Sequence, residues 1–113
     1  MKYLFLAYQD PGEWRAMSTR KRDAFLNACH ASDQDLQDAG YLLARENLLE
    51  GDAVTVKMLN GEISIIESPP NQDLQLFEII FINARDLNEA IRVASRMPQA
   101  RTGLIQIKIL PGI

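Results

Sequence analysis

Leu76-Phe77-Glu78-Ile79-Ile80-Phe81-Ile82 carries apolar side chains at odd and even positions alike. A strand with one wet face alternates apolar and polar residues, so this run predicts a central strand covered on both faces. Ser68-Pro69-Pro70-Asn71 breaks the chain before it, and the segment through Asp73 reads as a loop. After it, Asn83 or Asp86 can cap a helix whose apolar stripe is Leu87, Ala90, Ile91 and Ala94, and Met97-Pro98 ends that helix. Leu104-Ile105-Gln106-Ile107-Lys108-Ile109 alternates and reads as the last strand, with Arg101-Thr102-Gly103 as the turn before it.

Upstream, Val54-Thr55-Val56-Lys57-Met58-Leu59 and Glu62-Ile63-Ser64-Ile65-Ile66 flank Asn60-Gly61. Asn-Gly favours a type I′ turn because both central residues need positive φ. A two-residue loop pairs Met58 with Ile63 and Val56 with Ile65. These four then share a face with Val54, while Lys57 and Ser64 share the other. Tyr3 to Tyr8 is a short apolar run stopped by Asp10-Pro11-Gly12 and reads as a buried strand. Thr19 to Ala39 is the expected first helix, with Ser18 or Thr19 as N-cap and Gly40 at C′. Phe25, Cys29 and Leu36 lie on its apolar side. Tyr41-Leu42-Leu43-Ala44 begins a second strand, followed by a turn at Glu50-Gly51-Asp52.

The element order predicts one α+β domain spanning residues 1–113: a ferredoxin-like βαβ(ββ)βαβ sheet with helices on one face. The hairpin is either an insertion or an extension of that sheet. Two helices cannot hide the apolar surface of Ile63, Ile65 and the 76–82 run, so a homodimer is expected.

Twelve basic and fifteen acidic residues give a formal charge of −3, which argues against nucleic acid as the main ligand. Arg15, Arg20, Lys21 and Arg22 form one local basic cluster, read as a solvated helix face. The single cysteine, Cys29, forms no intrachain disulfide and fits a reducing cytoplasm. No stretch has the length of a membrane span, and the N-terminal run is too short for a signal peptide. No Cys-x-x-Cys or His-x-x-x-His pair is present and the glycines are scattered, so neither a metal nor another cofactor is expected.

Few residues remain for chemistry. His30 is the sole histidine and the only side chain that ordinarily titrates near neutrality. With a carboxylate it would form a general acid/base pair, and Glu67, just after the hairpin, is the catalytic partner selected. Asp33 and Gln34, at i+3 and i+4, could orient it. Tyr8, Trp14, Arg45 and Glu46 are the expected ligand-binding residues, lining a pocket between the first helix and the sheet.

The whole pattern resembles the YCII-related proteins, in particular the branch named for an Asp-Gly-Pro-Phe (DGPF) motif. The resemblance rests on Met1-Lys2-Tyr3-Leu4-Phe5-Leu6-Ala7-Tyr8, on Asp38-Ala39-Gly40-Tyr41-Leu42-Leu43, on the hairpin, on Asp86-Leu87-Asn88-Glu89-Ala90 and on Met97-Pro98-Gln99-Ala100-Arg101-Thr102-Gly103. It implies a ferredoxin-like domain that dimerises in the manner of a dimeric α+β barrel. Most members have no established activity; some carry a His–Asp pair in a cleft, and some occur beside sigma factors in a regulatory setting. Here the name-giving motif falls at Glu67-Ser68-Pro69-Pro70 and keeps only its proline, and the family histidine falls on Cys29. The function expected is thus a small homodimeric ligand-binding or regulatory domain. The alternatives are a cofactor-independent enzyme using His30 with a carboxylate and a protein–protein interaction module.

Overall fold

The computed structural model describes residues 1–49, 54–66 and 74–112. In chain order the elements are β1 (Lys2–Gln9), α1 (Pro11–Ala16), α2 (Thr19–Asp38), β2 (Leu42–Asn47), β3 (Thr55–Leu59), β4 (Glu62–Ile66), β5 (Gln75–Asn83), α3 (Leu87–Arg96), α4 (Gln99–Thr102) and β6 (Leu104–Ile109). Four strands form one sheet in the order β2-β5-β1-β6, with every neighbouring pair antiparallel. The chain is α+β and its sheet order is compatible with a ferredoxin-like fold.

β5 is an inner strand, as its composition requires, but its two faces differ. Glu78, Ile80 and Ile82 are buried, together with Tyr3, Phe5 and Ala7 of β1, on the side that meets Leu36, Ala90, Val93, Ala94 and Met97 of the helical layer. On the opposite side Leu4, Leu6, Ile79 and Phe81 are only half-buried. The expected double cover is therefore complete on one face alone.

α1 corrects the expectation of a plain turn after β1. Asp10 Oδ1 accepts hydrogen bonds from Gly12 N at 2.8 Å and Glu13 N at 3.4 Å, and Pro11 supplies a preset φ at the first helical position. Residues that stop a strand thus also start a helix. α2 begins at Ser18, whose Oγ accepts from Lys21 N, and ends in a Schellman motif: Gly40 N donates to Gln37 O and Tyr41 N to Leu36 O, with Gly40 at φ 79°. The basic cluster is not wholly a solvated face. Arg22 donates to Trp14 O and Arg15 O, and its guanidinium lies 5.8 Å from the Trp14 ring centroid, tying α1 to α2.

The hairpin has the expected register, Met58 opposite Ile63 and Val56 opposite Ile65, with Asn60 and Gly61 at positive φ. It is a separate two-stranded sheet rather than an extension of the larger one. Asp86 caps α3 through Oδ1, which accepts from Glu89 N at 2.8 Å. α4 replaces the simple turn expected before β6. Gly103 leads into β6 so close to β1 that a Cβ there would lie 1.9 Å from Tyr8 O.

Candidate functional site

A cavity of about 320 Å³ opens between α2 and the β2–β5 side of the sheet. α1 and α2 bring Trp14, Phe25, Leu26, Cys29 and His30 to it; the strands bring Gln9, Arg45, Asn47, Phe77 and Glu78. Trp14 and Phe25 meet edge to face, with centroids 5.6 Å apart and planes at 69°. The register of β2 on β5 sets the polar end. Arg45 lies opposite Ile80 and Asn47 opposite Glu78, so both strands turn polar groups toward α2. A register shift between Ala7 and Tyr8, where β1 pairs with β5, falls beside Phe77, which also lines the cavity.

Glu78 is the unusual residue. It is the one polar residue in the 76–82 run of inner strand β5 and is 2% exposed. Its Oε2 accepts from Arg45 Nη1 at 2.5 Å, and its Oε1 accepts from Gln99 Nε2 at 2.6 Å. Arg45 Nη1 also lies 2.9 Å from Asp33 Oδ2, so one guanidinium joins a carboxylate on β5 to another on α2. Burial pushes the Glu78 carboxyl above its ordinary value, and the charge of Asp33 pushes the same way. The Gln99 hydrogen bond and the Arg45 charge pull it back without cancelling the rise. Burial likewise raises Asp33, against the pull of Arg45 and His30. Burial, then the negative charges of Glu78 and Asp33, push the Cys29 thiol up to about 11. The cysteine facing this cavity is therefore a neutral thiol at neutral pH.

Gln99 is 1% exposed, and its Oε1 has no hydrogen-bond partner among the described residues. An amide offers a donor at one end and an acceptor at the other. Its NH₂ serves an ionised Glu78; after a 180° flip its carbonyl would accept from a protonated one.

The residues selected from the sequence divide. Trp14 and Arg45 line the cavity, and His30 lies exposed at its rim. Tyr8 and Glu46 do not line it. Tyr8 borders a shallow depression with Leu74, Leu104, Ile105 and Gln106, and Glu46 is exposed opposite Ile79 on the other side of the sheet. Strand alternation separates Glu46 from Arg45. Glu67 lies outside the described residues. The sequence does not single out Glu78 or Gln99, and it offers Asp33 only as an orienter of His30. The legible signal was a lone carboxylate in an inner strand, which must find a cation once buried. Among the described residues no three His, Cys, Asp or Glu side chains are grouped to hold a metal ion. No helix there is long and apolar enough to cross a membrane.

The family profile described as the YCII-related domain matches residues 1–111. The chain belongs to the YCII-related family. That match spans all of the described elements, so the cavity and its charged floor lie within the family domain. No curated protein matches the chain.

Proposed function

We propose that this YCII-related chain is a homodimeric ligand-binding domain, and that its ligand is a small molecule held in the cavity between α2 and the sheet. The observation that carries the reading is the Asp33–Arg45–Glu78 cluster at an aromatic-walled opening. Buried ion pairs are poor stabilisers, since well-packed apolar residues of the same volume do as well or better. A costly charged group that faces a cavity instead of closing it suits a binding site. The volume admits a small aromatic or heterocyclic molecule, whose ring would lie against the Trp14–Phe25 pair and whose polar group would face Glu78 and Asn47.

The half-buried outer face of Leu4, Leu6, Ile79 and Phe81 supports the dimer. Two such faces closed on each other would form the dimeric α+β barrel that the family resemblance implies. The lone thiol fits a reducing cytoplasm, and a regulatory role suits a small dimer with a ligand site. Chemical-shift mapping of the labelled protein with a fragment library tests the site. Perturbations should cluster at Trp14, Arg45 and Glu78, and Glu78→Gln should weaken the same fragments.

A second reading, acid/base catalysis, is favoured by the raised Glu78 and by the two-way amide of Gln99. In this reading Glu78 exchanges the proton and Arg45 orients it. His30 is a rim group, not half of a buried pair. Once a substrate is in hand, Glu78→Gln should lose turnover at least about a hundredfold while still binding, as general acid–base groups do. Equal turnover would eliminate the mechanism.

A further inference from the structure

The β3–β4 hairpin turns Val54, Val56, Met58, Ile63 and Ile65 to one side, and these five are 58–68% exposed. Its other side carries Thr55, Lys57, Glu62 and Ser64, with the apolar Leu59 at the turn. A two-stranded hairpin is marginal in water without a third strand or a packed face. Here the strands pair only with each other, and β3 and β4 make no substantial contact with any other described element. The five side chains leave on the order of 500 Å² of contiguous apolar surface in water, at the top of what monomers tolerate.

The shape of the chain says the same. A compact domain of this length has a radius of gyration of about 13 Å. The observed value is 16.3 Å, with extents of 49 × 44 × 18 Å. The hairpin is an arm set away from its own core.

Resting on the dimer reading above, we infer that the arm is a dimer clasp: each copy lays Val54, Val56, Met58, Ile63 and Ile65 on the other. The area decides for a second copy. In a two-fold pair the two arms and the surfaces they cover remove on the order of 2,000 Å² from water, the size of a standard stable interface. Two-fold symmetry satisfies both arms at once, and the wet faces with Lys57 and Ser64 stay outside. The half-buried outer sheet face supplies further apolar surface to the same assembly.

Sedimentation equilibrium of the full chain tests the clasp. Val56→Glu with Ile65→Glu places like charges on a cross-strand pair of the apolar face and should weaken dimerisation by about a hundredfold or more, as loss of central interface anchors does. Lys57→Glu on the wet face should leave it unchanged. Circular dichroism of the core keeps misfolding apart from dissociation. Hydrogen exchange of the unaltered chain gives a reading without mutation: amides of 55–59 and 62–66 should lose protection on dilution through the dissociation range. If the double variant dimerises as tightly as the parent, or the arm amides exchange freely in the dimer, the clasp is wrong and the sheet-face dimer stands. If the parent chain sediments as a monomer at high micromolar concentration, both are wrong.

Discussion

Glu78 and Cys29 line the same cavity. Both sit at values raised first by burial, and the Glu78 charge adds to the rise at Cys29. The thiolate is the reactive form, so alkylation of Cys29 should be slow at neutral pH and keep accelerating toward about 11. Glu78→Gln removes one of the negative charges acting on the thiol, so its alkylation profile should move to lower pH. An unchanged profile would mean that the two groups do not share a field. Glu78 also sets a pH dependence of stability. Its folded value lies above the ordinary 4.5, so the native state holds this proton more firmly than the unfolded chain. The contribution is fully present below 4.5 and is lost as pH rises through the folded value. Denaturant titrations should therefore show parent stability falling relative to Glu78→Gln across that window and level above it. A difference that is flat or grows with pH would contradict the raised value.

Between β1 and β6 the backbones come too close to admit a side chain at Gly103. A Cβ on Gly103 would meet Tyr8 O at 1.9 Å, so Gly103→Ala must push β6 away from β1. Thermal or denaturant unfolding should show a loss of about 2–4 kcal/mol, in the range of backbone-displacing substitutions. Phe5→Ala, which empties a fully buried position between sheet and helices, should cost about 3–5 kcal/mol. Elements whose signals are local were readable in the sequence. Asn60-Gly61 carries its turn in two residues, and the Ser18 cap and Gly40 stop bracket α2. The short helices were hidden because their signals do two jobs: Asp10-Pro11 ends β1 and starts α1, and Pro98 ends α3 and leads into α4. The site was half legible for a similar reason. Trp14 and Arg45 announce themselves by residue type. Glu78 becomes significant only when register sets it beside Arg45, with Gln99 reaching it from 21 residues away. The His30–Glu67 pairing rests on residue type and on a place at a strand end, neither of which carries a distance, and Glu67 lies outside the described residues.

Across the whole molecule, one side of the sheet carries the helices and the cavity, while the other side is only half-buried and the hairpin exposes apolar side chains. This division would keep the proposed ligand site apart from the proposed assembly surface, and variants of one should leave the other intact. Val56→Glu with Ile65→Glu should not move the Cys29 alkylation profile, and Glu78→Gln should not change the sedimentation of the chain. Whether the Glu78 cavity holds a ligand, as proposed, is decided by heteronuclear NMR of the labelled protein against a library of small aromatic fragments, with Cys29→Phe as the variant that fills the cavity. Binding fragments should shift the Trp14 indole and the Arg45 and Glu78 signals together, and the shifts should vanish in the filled variant. Fragments that gather instead in the separate groove bordered by Leu36, Val93, Met97 and Arg101, or that bind the filled variant equally well, would contradict it.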